Sequence, residues 1–346
     1  MSYFFAALIL SVIFTVLVRS LAKKLNIMDE PNEERKKHIG RVPLLGGLAI
    51  FFSFWLVTGY VIFFTKLFGP NLQPEKLFWV FAASIILMVV GCLDDKYKIK
   101  PAPRLLVAAA CVLIVILGGV NLDKITNPFG GILYLDFWQA HLGILGTISV
   151  SAAMLVFFWI LGMMFTTKIL DGLDGLSSGI TVIGSLMIFF IASGERWHQP
   201  DVALLALVFA GACLGFLLFN FYPAKIFLGE GGSLFIGFML GVLSVIAGGK
   251  IATALLVMAV PILDLARVAV VRIRKGKSFW QGDREHLHFR LVDSGLSQRQ
   301  AVLIFYSIAI IFGTSTLFFQ SQQKLYALIF LFLLMLALGI FLARKK

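Results

Sequence analysis

Charge is scarce in this chain. Asp, Glu, Lys and Arg make up 14% of its 346 residues, against about 25% in soluble domains. Acids are the scarcer sign, 18 against 30 Lys plus Arg, and there are only five His and three Cys. So apolar and weakly charged a composition excludes a disordered chain and a typical cytosolic enzyme. Cys92, Cys111 and Cys213 lie in or at the ends of apolar stretches, with no paired spacing and no neighbouring His. That excludes a disulfide framework and a thiolate metal cluster; the three are expected to be reduced. Long polar stretches are missing too. The largest, Leu21–Leu44, Asn121–Ala140 and Arg272–Arg299, are each too short to bury a core of their own. No internal repeat or low-complexity tract is present.

What is there is apolar surface. Hydrophobic residues make up 60% of the chain and mean hydropathy is +0.95, where soluble domains hold about 45–50% apolar residues. One water-soluble core cannot hide that excess, so an all-α integral membrane protein is expected. A spanning helix needs about 20 mostly apolar residues. About eleven such runs can be read: Tyr3–Val18, Leu45–Thr65, Leu77–Leu93, Leu105–Val120, Gly143–Phe165, Leu176–Ala192, Val202–Phe219, Gly232–Ala247, Ile251–Val271, Ala301–Leu317 and Leu325–Ala343. Only Gly248, Gly249 and Lys250 separate the eighth run from the ninth. The first run has no cleavage site after it and is expected to be a span, not a signal peptide. Asn121–Ala140 contains Asn127-Pro128, Gly130-Gly131 and then Ile132–Leu135. It reads as an outer loop with a short strand pair at the interface.

A net charge of +12 would suggest nucleic acid in a soluble protein. Here it is better read as a topology signal, and no nucleic-acid partner is expected. With the N-terminus outside, Arg19, Lys23, Lys24, Arg35, Lys36, Lys37 and Arg41 fall on the inner side. So do Lys96, Lys98, Lys100, Arg104, Lys168, Lys225, and the basic run from Arg272 to Arg299. The outer side receives only Lys66, Lys76, Lys124, Arg196, Lys250 and Lys324. This bias predicts an outside N-terminus, a cytoplasmic C-terminus and an odd number of spans. The chain is then one transmembrane domain, 1–346, with inner loops at 21–44, 94–104, 166–178, 220–232 and 272–300.

The scarce acids concentrate at inner span ends. Asp94 and Asp95 close an apolar run; Asp171 and Asp174 form Asp-Gly-Leu-Asp-Gly; Glu230 sits among Gly229, Gly231 and Gly232; His286 and His288 lie in a basic segment. A carboxylate at bilayer depth costs about 2.5–3.5 kcal/mol on insertion scales, so such residues mark function. Asp94 and Asp95 also suit a solvated loop start, because three lysines follow. Being adjacent, they point different ways on a helix and should have different roles. Asp171 and Asp174, three apart, predict two carboxylates on one helix face. Hard oxygens in that pattern suit Mg²⁺, which takes few carboxylates together with waters and phosphates; a helix cap is the simpler alternative. The turn around Glu230 reads as an anion site at a helix start or as a plain re-entry turn. The two His suit phosphate contact better than zinc, since residues two apart do not share a helix face. Carboxylates for a cation, cations for phosphates and an apolar body together point to an enzyme that joins a soluble phosphate compound to a membrane lipid.

At these residues the chain resembles the polyprenyl-phosphate N-acetylhexosamine-1-phosphate transferase family. HIGRVPLLGGLAIF from His38, GCLDDKYKIKP from Gly91, ILDGLDGLSSG from Ile169, NFYPAKIFLGEGGSLFIG from Asn220 and DREHLHFRLVDSGLSQRQAV from Asp283 are similar to its motifs in order. The resemblance implies transfer of a sugar 1-phosphate from a UDP-sugar to undecaprenyl phosphate, with release of UMP. It further implies Mg²⁺ (or Mn²⁺) and a cytoplasmic active site at the bacterial inner membrane, and is compatible with a homodimer. By that likeness Asp94, Asp95, His286 and His288 are catalytic, and Glu230, Asp171 and Asp174 bind metal. Lys168, Gly172, Gly229, Arg284, Arg290, Gly46 and Gly47 bind substrate.

Three positions depart from the family's pattern: Lys168 where Asn is usual, Glu230 where Asp is usual, and Phe289 where the teichoic-acid branch often has His. The motifs favour N-acetylglucosamine over the phospho-MurNAc-pentapeptide branch. A lipid or solute transporter, with sites near the bilayer midplane, is the reading from another class, and an inactive paralogue that binds lipid phosphate is a third.

Overall fold

Where water is absent, a backbone must satisfy its own N–H and C=O groups, and the apolar runs do so as helices. The computed structural model describes residues 1–31, 40–65, 73–122, 124–127, 129–141, 147–195, 197–248, 251–274, 276 and 285–344, the side chains of 336 and 338–344 excepted. In order come α1 (Ser2–Lys24), β1 (Met28–Asp29), β2 (Val42–Pro43), α2 (Gly47–Phe64), α3 (Pro74–Tyr97) and α4 (Pro101–Leu117). Then follow β3 (Lys124–Thr126), β4 (Ile132–Tyr134), β5 (Gln139–His141), β6 (Thr147–Ser149), α5 (Val150–Leu170), α6 (Leu176–Ser193) and α7 (Pro200–Asn220). The last are α8 (Gly229–Ile246), α9 (Ile251–Val257), α10 (Ala259–Arg274), α11 (Leu287–Asp293), α12 (Gln298–Phe318) and α13 (Ser321–Arg344).

Among the described residues, 8 helices are long and apolar enough to cross a membrane, or 9 with α9 and α10 counted as one bent span. Two further apolar helices, Pro101–Leu117 and Ser321–Met335, are shorter. The chain is thus a multi-span helical membrane protein. Two expected spans differ from what forms. The run Ile251–Val271 breaks by 76° between α9 and α10. Pro261 explains the break: it lacks the N–H that would bond Val257, and its ring crowds that carbonyl. Of the run expected from Gly143, the described part is helical from Val150 on, and Thr147–Ser149 just before it pairs antiparallel with Gln139–His141. Ser149 then caps α5, its side chain accepting from the Ala152 N–H. The strand pair expected within 121–140 is present as Lys124–Thr126 against Ile132–Tyr134.

The core centres on α8. Every residue from Gly231 to Val245 is buried, as befits a helix that is apolar on all sides. α3 and α5 pack against it, and α7 is held between α1 and α6. The perimeter presents apolar side chains outward, such as Phe5, Ile9 and Ile13 of α1 and Phe330 and Leu333 of α13. One end of the bundle brings together the C-terminal ends of α3 and α5 and the N-terminal ends of α4, α6 and α8. Those ends carry the site.

Candidate active site

Asp94 and Asp95 lie in the last turn of α3 and diverge, about 100° apart around the helix axis. Asp94 is only 3% exposed, and its Oδ2 accepts from Arg104 Nη1 at 2.7 Å. Its Oδ1 is buried with no hydrogen-bond partner. Asp95 turns instead to α8, its Oδ1 accepting from the Glu230 N–H at 2.8 Å. Arg104 stands in the first turn of α4, which begins at Pro101 after a left-handed Lys98. Its Nη1 also reaches Glu230 Oε1 at 3.1 Å, and Glu230 Oε2 meets Lys168 Nζ at 2.6 Å. Asp94, Arg104, Glu230 and Lys168 therefore form a row of alternating sign across the ends of four helices.

The row exists because backbones come close. A Cβ on Gly91 would lie 2.1 Å from Gly231 Cα, so α3 and α8 cross almost in contact. Gly229 has φ +77, and a Cβ there would lie 2.2 Å from Asp95 Oδ2. Gly46 and Gly47, expected to bind substrate, are both buried. Their N–H groups donate to Phe227 O and Leu228 O at 2.9 and 2.8 Å. Their part is to seat α2 against the turn that carries Glu230, with no side chain or free N–H offered to a substrate.

Asp171 and Asp174 do not share a helix face as their spacing predicted. α5 ends at Leu170 and α6 begins after Gly175, whose φ is +79, so both acids lie in an irregular turn. Tyr306 of α12 fixes that turn by donating to Gly175 O at 2.5 Å. Asp174 Oδ2 accepts from the Ala224 N–H at 2.9 Å, tying the turn to the segment before α8. Burial pushes the Asp171 carboxyl well above its ordinary range, and Glu230, Asp174 and Asp95 push it further. Four carboxylates from the end of α3, the start of α8 and the turn between α5 and α6 thus lie close enough to influence one another.

His286 caps α11 from an extended backbone and His288 sits in its first turn. Their rings are parallel, with centroids 5.7 Å apart. A Cβ on Gly172 would lie 2.8 Å from His288 Nε2 and 2.6 Å from Phe289 Cζ, so this loop lies on the Asp171–Gly175 turn. Arg290 Nη2 is 2.5 Å from Glu285 Oε2. Arg284 and His38 fall outside the described residues.

Among the described residues no three His, Cys, Asp or Glu side chains enclose a metal ion by themselves. Glu230, expected as a metal ligand, has both oxygens on cations. Asp171 with Asp95 or Asp174 offers the better donor pair: hard oxygens whose mutual repulsion a divalent cation would relieve. That fits Mg²⁺ in its usual mode, with one or two carboxylates and the remainder water and phosphate.

Sequence reasoning did not single out Arg104, Asp264, Arg267 or Tyr306. Asp264 and Arg267 lie inside the apolar run Ile251–Val271, and an ionisable pair within a span is itself the signal. A small pocket between α3, α4 and α8 is lined by Leu87, Val90, Val107 and Leu234 together with Asp94, Arg104 and Glu230.

Residues 77–248 match the model described as Glycosyl transferase family 4. The chain is 31% identical over 345 residues to a "Probable undecaprenyl-phosphate N-acetylglucosaminyl 1-phosphate transferase" of Bacillus subtilis, covering 97% of this chain and 89% of the relative. It is 34% identical over 339 residues to a "Decaprenyl-phosphate N-acetylglucosaminephosphotransferase" of Mycobacterium tuberculosis, covering 88% and 80%. An "Undecaprenyl-phosphate alpha-N-acetylglucosaminyl 1-phosphate transferase" of Escherichia coli K12 is 28% identical over 309 residues, covering 84% and 76%.

Proposed function

Because the chain belongs to glycosyl transferase family 4, we propose that it transfers N-acetylglucosamine 1-phosphate from a UDP-sugar to undecaprenyl phosphate, releasing UMP. This would be the first membrane step of a cell-envelope polysaccharide, carried out on the cytoplasmic face of the bacterial inner membrane. The observation that carries the reading is the junction of two surfaces. Apolar side chains of α3, α4 and α8 (Leu87, Val90, Val107 and Leu234) meet Asp94, Arg104 and Glu230 at one small pocket, so the phosphate of a lipid reaching it from the bilayer would meet cationic groups.

In the reaction, an oxygen of the lipid phosphate attacks the sugar-bearing phosphorus of the nucleotide. A P–O bond forms, the bond to the bridging oxygen breaks, and UMP leaves with that electron pair. Both reactants are anions, so positioning and charge neutralisation carry most of the catalysis. Arg104 receives the lipid phosphate beside Asp94, and Lys168 and Arg290 face the diphosphate. His288, on the Gly172 turn, contacts the same phosphates. Mg²⁺, held by Asp171 with Asp95 or Asp174, would neutralise the diphosphate and stabilise the leaving group. No side chain needs to become phosphorylated.

The test is UMP release by purified protein supplied with undecaprenyl phosphate, Mg²⁺ and a panel of UDP-sugars that includes the MurNAc-pentapeptide nucleotide. Release with UDP-N-acetylglucosamine, dependent on lipid and metal and lost in Asp94→Asn, is expected. Release only with the peptide-bearing nucleotide would move the chain to the other branch. A phosphorylated Asp94 or Asp95 trapped with UDP-sugar alone would refute direct attack.

A further inference from the structure

Asp264 is the acid that the reaction scheme leaves unused, and it is unusually well held. It lies on α10, just past the break at Met258, and is 3% exposed. Its Oδ2 accepts from the Leu287 N–H at 3.0 Å and meets His286 Nδ1 at 2.9 Å. Its Oδ1 accepts from Arg267 Nε and Nη2 at 3.1 and 2.8 Å. Arg267 Nη2 also donates to Glu285 O at 2.5 Å. Both carboxylate oxygens are thus engaged, and every partner belongs either to α10 or to the segment that introduces the two stacked histidines.

The chemistry of these contacts fixes a proton. A carboxylate flanked by a guanidinium is ionised and can only accept. The ring nitrogen facing it must then carry hydrogen, which reserves Nε2 for a further partner. The same carboxylate stabilises positive charge on that ring, as a phosphate ligand requires. A simple loop anchor needs only the Leu287 contact; orienting the ring is an additional task.

We propose that Asp264 is a positioning residue for the transfer reaction: with Arg267 it holds His286 in the Nδ1-protonated form and aims Nε2 at the phosphates gathered over the Asp171–Gly175 turn. This rests on the reading given above. The α9–α10 break follows as part of the device, because it carries Asp264 out to the loop end of the bundle.

Two measurements on the full-length protein decide it. The first is a double-mutant cycle read by UMP release. Asp264→Asn should lower kcat about 10–100-fold, as loss of a histidine's supporting carboxylate does elsewhere, with KM for both substrates within about twofold. Asp264→Asn combined with His286→Ala should be no slower than His286→Ala alone. Multiplying losses, or an unchanged kcat in Asp264→Asn, would overturn the assignment. The second is the ¹⁵N spectrum of histidine-labelled wild-type protein, with His286 identified by its loss in His286→Gln. Nδ1 is expected to carry hydrogen whether or not Nε2 also does, and a proton on Nε2 alone refutes the proposal even if Asp264→Asn does not fold. This spectrum needs no turnover. A wild type that releases no UMP therefore refutes the transfer reading, while the spectrum still decides the role of Asp264.

Discussion

Gly229 shows how narrowly single atoms set this site. Its φ of +77 is one that side chains rarely adopt, and its missing Cβ leaves room for Asp95 Oδ2. Gly229→Ala should therefore displace Asp95 and abolish UMP release while most of the fold survives, which circular dichroism and thermal unfolding would separate. Asp171 carries the opposite lesson. Its carboxyl is held above its ordinary range by burial and by Glu230, Asp174 and Asp95. A carboxyl with a raised folded-state pKa destabilises the fold at neutral pH, above its unfolded value, and the penalty fades as pH falls. Asp171→Asn should thus raise the melting temperature in chelator-treated buffer and abolish transfer, a trade of activity for stability. Lys168 and Glu230, both departures from the family pattern, touch each other at 2.6 Å. The sequence displayed each departure singly; their contact depends on α5 and α8 lying side by side, which no local spacing encodes.

Elements, rather than residues, decide where these groups meet. α3 and α8 cross at Gly91 and Gly231 with no room for a side chain, in the manner of small-residue contacts between membrane helices. Gly91→Ala should push the helices apart and cost about 1–3 kcal/mol, as overpacking does. A lowered melting temperature and lost activity should appear together, because the same crossing brings Asp95 to the Glu230 N–H. The apolar runs were legible as helices because twenty-odd apolar residues leave the backbone no alternative. The Asp171–Asp174 spacing misled because it suits a helix equally well. A left-handed Gly175, held by Tyr306 from a distant part of the chain, decided for a turn. Asp264 was overlooked for a related reason: within an apolar run its significance comes from Pro261 three residues earlier, which turns an intramembrane acid into a loop-end one.

At the scale of the whole molecule, the charge bias predicts which end faces the cytoplasm. Single cysteines placed at Lys98 and Lys124, in protein lacking Cys92, Cys111 and Cys213, test it. An impermeant maleimide should label the Lys124 position in intact cells and the Lys98 position only in inverted vesicles. The reverse pattern would turn the proposed site to the outside. That all acids of the site lie at one end was readable from charge counting alone, since alternate loops return to the same side; which of them touch was not. One feature of the bundle bears on how such an enzyme lives in a fluid medium. α8 is enclosed from Gly231 to Val245, so the helix bearing Glu230 has neighbours of protein on every side. Changes in bilayer thickness or acyl-chain order press on the outer helices, α1 and α13 among them, and are spent there. The mount of Glu230 is in effect mechanically insulated, and its position should vary little between host lipids of different chain length.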